Sequence, residues 1–265
     1  HDMRMVMQSI DLQDTVTVTP HPGPEIQVSS DLPYLPRGDG NIAAKAAARF
    51  FEQTNLPPSG LSIDIRKRIP VCAGMAGGSS DGAAVLRVLR RTLRPDMSPK
   101  ELEEIGGLVG SDVPYCLRGG SVLAEGRGER MTDLPPLPPC WFVVCKPPCA
   151  VSTPELFSLV RMKRLRFHPR TAELISALEQ GDLEGIAVRL YNVFEDVLPR
   201  RYAQVFEIKG RFLELGAMAA SMTGSGPTVF GLFRDKPLAV QALEILRPQF
   251  PSTFLCELVG RAVYN

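Results

Sequence analysis

The sequence predicts an α+β fold, and three observations carry that prediction. Short stretches in which apolar residues alternate with period two are interspersed, along the whole chain, with longer stretches of helical spacing. A β-branched run, Leu61-Ser-Ile-Asp-Ile65, leads through a glycine loop into an Ala/Val/Leu/Arg run with helical periodicity. A proline-dense segment, Leu134-Pro-Pro-Leu-Pro-Pro139, can carry neither a helix nor a central strand, and reads as a linker.

The elements follow in order. Residues 10–19 and 25–29 alternate like paired strands. Residues 42–53 read as a helix, with Asn41 as the expected cap because its side-chain oxygen can accept from an N–H of the first turn. Residues 61–66 read as a strand. The helix after the glycine loop extends to Arg91, a second covers 98–108, and 121–125 forms a strand. Beyond the linker, 141–146 reads as a strand and 171–180, 182–193 and 202–215 as helices. Residues 228–233 are a strand, 237–246 a helix and 253–259 a strand. The linker sets the expected domains at 1–137 and 138–265.

At 265 residues the chain is long enough to bury a sizeable core. Its 44% apolar and 22% charged residues are ordinary for a globular protein. A net charge of +1 gives no electrostatic case for a general nucleic-acid binder or a membrane-surface protein. No apolar run approaches the roughly 20 residues that span a bilayer, and no signal peptide is expected. The six cysteines (72, 116, 140, 145, 149 and 256) contain no Cys-x-x-Cys pair. Cys145 and Cys149 have no histidine nearby, so a zinc site is not expected. Most read as small core residues of a protein in a reducing cytoplasm.

The glycine loop is the most informative segment. Gly74, Gly77 and Gly78 precede Ser79, Ser80 and Asp81 at a helix start. Glycines let backbone N–H groups approach an oxyanion closely, and a helix start adds unpaired N–H groups and partial positive charge. The alternative, a turn followed by a simple cap, needs only one Ser or Asp and fewer glycines. Neither the Walker A pattern nor Gly-x-Gly-x-x-Gly is present. A helix-terminal charge effect is worth about 0.3–1 kcal/mol, whereas a micromolar nucleotide needs about 8 kcal/mol. Such a loop must therefore act through several N–H bonds, a metal ion and a base pocket.

Pro70-Val-Cys-Ala-Gly-Met-Ala-Gly-Gly-Ser-Ser80 resembles the ATP-binding loop of the GHMP kinases, a family of small-molecule kinases. Five further segments resemble, in the same order, the 4-diphosphocytidyl-2-C-methyl-D-erythritol kinase branch of that family. They are His1-Asp2 with Met7-Gln-Ser-Ile-Asp-Leu-Gln-Asp14, Gly110-Ser-Asp-Val-Pro-Tyr-Cys-Leu-Arg-Gly-Gly120, Glu125-Gly-Arg-Gly-Glu129, Asn192-Val-Phe-Glu195, and Met222-Thr-Gly-Ser-Gly-Pro227. Each is weak alone, and their order makes the resemblance specific from end to end. It implies an N-terminal domain like ribosomal protein S5 domain 2, a ferredoxin-like C-terminal domain and an active site in the cleft between them.

The resemblance also implies roles. ATP and Mg²⁺ would be held by Pro70, Val71, Cys72, Ala73, Gly74, Met75, Ala76, Gly77, Gly78, Ser79 and Ser80, with Ser79 or Ser80 at the metal. Lys67, just before the loop, is a candidate to reach the nucleotide; its alternative is a solvated strand-end lysine. Asp112 matches the family's catalytic aspartate, which takes or orients the hydroxyl proton; taken alone it could instead form an Asx turn before Pro114. His1 matches the histidine that hydrogen-bonds the substrate's cytosine. Gly224 and Ser225 approach the phosphates and substrate from the other domain, although a bare hairpin turn is the alternative. Thr153 and the basic stretch 161–166 are candidates for the substrate diphosphate, against a merely solvated stretch.

The implied substrate is cytidine-diphosphate-linked methylerythritol, in bacterial cytoplasm or plastid stroma, with a monomer or homodimer and neither nucleic acid nor membrane as partner. Rival readings are a mevalonate- or homoserine-type kinase and an N-terminally truncated, non-catalytic nucleotide binder. An S5-like RNA binder fits poorly with the near-neutral charge. The family begins with a strand carrying Pro-Ala-Lys-x-Asn, whose lysine pairs with the catalytic aspartate, whereas this sequence opens at the histidine beyond it. None of its lysines (45, 67, 100, 146, 163, 209, 236) occupies an equivalent motif, so a shortened record of a longer protein is expected. Gly82 stands where the family usually has alanine, at an expected cost of about 0.5–1 kcal/mol in a helix.

Overall fold

The computed structural model describes residues 3–161, 165 and 167–262. Strand β1 (Met3–Gln8) pairs antiparallel with β5 (Ser121–Gly126), which pairs in turn with β6 (Arg130–Asp133). A second sheet has β4 (Gly60–Arg66) at its centre, antiparallel to β2 (Thr15–His21) and parallel to β3 (Ile26–Ser30). Four helices accompany these sheets: α1 (Ile42–Thr54), α2 (Gly77–Leu93), α3 (Pro99–Val109) and α4 (Val113–Arg118).

Local chemistry explains the helix boundaries. The Asn41 side chain accepts from Ala43 N, the cap expected for α1, and Asn55 ends that helix at φ +53°. In α3, Ser98 and Glu101 form a reciprocal capping box ahead of Pro99. The buried faces of α1 (Ala43, Ala47, Phe50), α2 (Val85, Leu86, Leu89) and α3 (Leu102, Ile105) close over Ile63 and Ile65 of β4. Helices α1 and α2 approach so closely at Gly82 that a methyl there would lie 2.9 Å from Ile42 Cγ2. The glycine that departs from the family's alanine therefore answers to helix packing rather than to the loop.

Beyond the linker, β7 (Trp141–Cys145), β8 (Ala219–Met222), β9 (Val229–Phe233) and β10 (Thr253–Cys256) form an antiparallel sheet in the order β10-β7-β9-β8. Between β7 and β8 lie α5 (Thr153–Leu159), α6 (Thr171–Glu179), α7 (Leu183–Ala187), α8 (Val193–Val197) and α9 (Ala203–Glu214); α10 (Lys236–Leu246) joins β9 to β10. This is the expected ferredoxin-like arrangement. Period-two alternation gives the sheet two buried faces: Val143, Cys145, Val229 and Phe233 pack with α9 and α10. Phe142, Val144 and Leu232 pack with Leu12 and Ile69 from the first half. That second cluster is apolar and joins the halves beside the loop. The chain also crosses back at its end, where Leu258 bridges to Ile10 and Arg261 to Gly119.

Several expectations need correction. The strand expected over 10–19 begins only at Thr15, because Ile10 makes an isolated bridge and the Asp14 carboxylate is engaged elsewhere. The helix expected over 182–193 stops as α7 at Ala187, with α8 beginning only at Val193, and the strand expected over 253–259 stops at Cys256. Strands β1, β6 and β8 and helices α4 and α5 were not expected. They are short, and four to seven residues show too little of either period to be recognised.

Candidate active site

The loop after β4 is shaped by backbone conformation. Cys72 (φ +52°), Gly74 (φ +69°) and Ala76 (φ +53°) are left-handed, and alternation of hand turns successive N–H groups toward one side, the nest that binds anions. Each left-handed non-glycine residue costs about 1–2 kcal/mol, so packing around the loop must hold Cys72 and Ala76. No side chain caps α2, whose N-cap is Ala76. Its first-turn N–H groups are thus left to an outside acceptor. Gly77 and Gly78, expected in the glycine loop, already belong to α2; methyl groups there would lie 3.0 Å from Ile69 Cγ2 and 3.3 Å from Ile42 Cδ1. Their missing side chains also let the helix start sit close to its neighbours.

The remaining loop residues divide by position. Ala73 is buried and Met75 packs into the apolar cluster that joins the halves. Pro70 and Val71 line a cavity of about 270 Å³ with Leu32, Tyr34, Lys67 and Lys146. Ser79 and Ser80 lie in the first turn of α2, and Ser80 Oγ donates to Gly77 O at 2.8 Å, leaving its lone pairs available.

Lys67 does not stand in the open at the strand end. Its ammonium is buried between the carboxylates of Asp14 and Asp81, 2.8 Å from the latter. The triad also has a role beneath the loop: Asp14 accepts from Arg68 N (2.5 Å) and Ile69 N (2.8 Å), fastening the entrance of the loop to the start of β2. Desolvation raises the Asp81 carboxyl from 3.8 to about 6, opposed by its hydrogen bond and attraction to Lys67. The unaided sequence offered one sign of this triad, the segment ending at Asp14, but nothing in it pairs residues 14, 67 and 81.

Asp112 immediately precedes α4, and its carboxylate does not cap that helix. The Asx-turn alternative therefore has no hydrogen bond to support it. Burial raises its carboxyl. Cys116, one turn further on, feels the Asp112 charge, and its Sγ lies 4.0 Å from Ala76 O. Asp112 and Ala76 are thus both neighbours of Cys116.

From the second half, residues 223–226 turn between β8 and β9 and meet the loop backbone to backbone. A methyl on Gly74 would lie 2.4 Å from Thr223 O and 2.7 Å from Gly226 N; one on Gly224 would lie 3.0 Å from Gly74 O. Thr223 Oγ1 donates to Gly74 O at 3.2 Å, and Thr228 N to Ala73 O at 3.4 Å. Thr153, the first residue of α5, shares a 2.7 Å hydrogen bond with Ser225 Oγ. The structure thus gathers Gly74, Gly224, Ser225 and Thr153 in one place. His1 and part of the basic stretch 161–166 lie outside the described residues.

Replacing Lys67 by Met would leave two buried carboxylates facing each other. The expected loss of folding stability is about 3–5 kcal/mol at pH 8, the cost of breaking a buried pair. Because the folded Asp81 value lies above 3.8, folding favours its protonated form, and the contribution of this group falls as pH rises from 3.8 through about 6. Denaturant titration should accordingly find a smaller Lys67→Met loss at pH 5 than at pH 8; an equal loss at both would show that Asp81 charge is not the cause.

Comparison with known proteins accords with this geometry. The family model described as GHMP kinases N terminal domain matches residues 41–120, and GHMP kinases C terminal matches residues 174–252. The chain is 38% identical over 259 residues to a 4-diphosphocytidyl-2-C-methyl-D-erythritol kinase of Clostridium botulinum (98% of this chain, 92% of that protein). It is 39% identical over 265 residues to the like-named protein of Alkaliphilus metalliredigens (100% and 91%). A crystal structure of 4-(cytidine 5'-diphospho)-2C-methyl-D-erythritol kinase superposes with a TM-score of 0.80 at 30% identity, covering 98% of this chain and 91% of that one. A homoserine kinase from Cytophaga hutchinsonii also reaches a TM-score of 0.80, at 18% identity and over 97% and 89% of the two chains, which shows the fold alone. The chain belongs to the GHMP kinase family, alongside the 4-diphosphocytidyl-2-C-methyl-D-erythritol kinases.

Proposed function

We propose that this chain transfers the γ-phosphate of ATP to the 2-hydroxyl of 4-diphosphocytidyl-2-C-methyl-D-erythritol, a step toward isoprenoid precursors by the non-mevalonate route. The observation that carries this reading is a separation of fold from sequence. Two solved kinases fit the backbone equally well, at a TM-score of 0.80, but the identity is 30% for one and 18% for the homoserine kinase. Since one fold hosts several activities, the sequence likeness across the whole chain decides among them.

Phosphoryl transfer is mostly positioning and charge stabilisation. In this reading the N–H groups of residues 72–79 bind the triphosphate, and the cavity beside Pro70 and Val71 gives the nucleotide base room against Tyr34. Mg²⁺ bound with the nucleotide would neutralise phosphate charge. Among the described residues no cluster of three or more His, Cys, Asp or Glu is placed to hold a metal. A hydroxyl from Ser79 or Ser80 beside phosphate oxygens suits this hard cation, which usually keeps its other ligands as phosphate and water. Asp112 accepts the proton of the acceptor hydroxyl. Its raised affinity for a proton suits a base, and its carboxylate is not spent on α4. Thr153 and Ser225 offer hydroxyls to the substrate diphosphate, and His1 reads the cytosine.

We assign residues 1–137 to the nucleotide-binding domain and 138–265 to the second domain, tied together by the return of 258–262. Bacterial cytoplasm, no nucleic-acid partner, and a monomer or homodimer complete the reading. No helix among the described residues is long and apolar enough to cross a membrane.

Two experiments test it. CMP should compete with labelled substrate whereas UMP should not, because a site that hydrogen-bonds cytosine leaves polar groups unmatched by uracil. Equal competition by both would favour a different acceptor. In the full-length protein, Asp112→Asn should keep ATP and substrate binding while single-turnover phosphoryl transfer falls by about 10²–10⁴-fold. A rate within about threefold of the parent, far below the general-base range, would remove Asp112 from the mechanism.

A further inference from the structure

The turn at residues 223–226 is built against the phosphate loop and is closed within the β8–β9 hairpin by Thr223 N to Thr228 O and Gly226 N to Thr223 O, both 2.9 Å. Further support comes from α8. Asn192 performs two separable tasks: its Oδ1 accepts from Phe194 N at 3.0 Å and caps α8, while its Nδ2 donates to Met222 O at 2.7 Å and to Gly224 O at 2.8 Å. One turn on, Glu195 Oε1 accepts from Met222 N at 2.7 Å and Ser221 Oγ at 3.0 Å, and Oε2 pairs with Lys209 of α9. Helix α8 also packs on α5, where Phe194 meets Phe157 edge-on with ring centres 5.0 Å apart. Both segments that meet at the Thr153–Ser225 hydrogen bond are thus seated on α8.

We propose that Asn192 and Glu195 are positioning residues for phosphoryl transfer, gripping residues 221–224 so that the turn, with Gly224 and Ser225, is held against the loop at Gly74. The inference rests on the kinase reading above. Neither side chain contacts the phosphate loop, and both act through the backbone of the turn. A polar grip suits this task. A turn held only by apolar contacts could slide, whereas four hydrogen bonds to fixed backbone and hydroxyl groups define its position in two directions. Misplacement by about 1 Å can cost on the order of 10²-fold in rate without loss of the binding groups themselves.

Asn192→Asp separates the two tasks: the carboxylate can still cap α8, but it sets oxygen against Met222 O and Gly224 O. In the full-length protein we expect kcat at saturating substrates to fall about 10- to 100-fold. ATP affinity by calorimetry should fall less than kcat does, because the loop keeps its own N–H groups and only the hold of the turn on them is loosened. Glu195→Ala should behave alike, whereas Glu195→Gln, whose amide oxygen can still accept from Met222 N and Ser221 Oγ, should retain most of the parent kcat. Amide exchange should quicken at Thr223 and Gly226 in the two damaging variants and stay unchanged in β7. Normal kcat in Asn192→Asp and Glu195→Ala, an equal loss in Glu195→Gln, or unchanged exchange in the turn would each overturn the proposal. Failure of the parent protein to phosphorylate would instead count against the kinase reading, and exchange would still decide whether α8 holds the turn.

Discussion

The contact between Gly74 and the 223–226 turn is the constraint around which the site is arranged. Two backbones meet there with no space for a methyl on Gly74. The loop enters from Lys67, buried against Asp14 and Asp81, and leaves as an uncapped helix. The turn is carried by α8 and by the hairpin of β8 and β9. An anion cradle needs its N–H groups fixed before the ligand arrives. In this chain the fixing comes from one side through buried charge and from the other through polar contacts to main chain. The apolar cluster of Leu12, Ile69, Phe142, Val144 and Leu232 holds the two sides at that spacing.

The charges beneath the loop are arranged unlike those of a typical phosphate site. Lys67 lies just before the loop in sequence, yet its charge is engaged by two carboxylates. The buried lysine contributes geometry: Asp14, neutralised by it, can accept from two successive backbone N–H groups at the loop entrance without standing as an unpaired charge in the interior.

Much of this was legible in the sequence, for identifiable reasons. The glycine turn into α2 announced itself because glycines, hydroxyls and a helix start are local in the chain, as are the cap at Asn41 and the alternation of β7 and β9. The helical run after the loop could be followed because it is long enough to show its period. What was hidden depends on distance along the chain. Nothing in the residues before β2 says that Asp14 will meet Lys67, and nothing around Asn192 says that its amide will reach Met222 and Gly224. The glycines show a further limit. The three were read alike, as letting backbone approach a ligand closely, whereas in the structure Gly74 has left-handed backbone and Gly77 and Gly78 lie in α2 against Ile69 and Ile42. Composition alone does not distinguish these two uses of a missing side chain.

The most direct test of the account is the affinity of Gly74→Ala for ATP, measured by calorimetry on protein shown to be folded. An alanine at φ +69° carries a left-handed penalty, and its methyl would lie 2.4 Å from Thr223 O, so loop and turn would have to separate. The account predicts a loss of affinity of at least about tenfold, equivalent to about 1.4 kcal/mol, with the apolar cluster and the Lys67 triad intact. An ATP affinity unchanged within about threefold, or about 0.7 kcal/mol, would show that the cradle does not depend on the interlocked backbones.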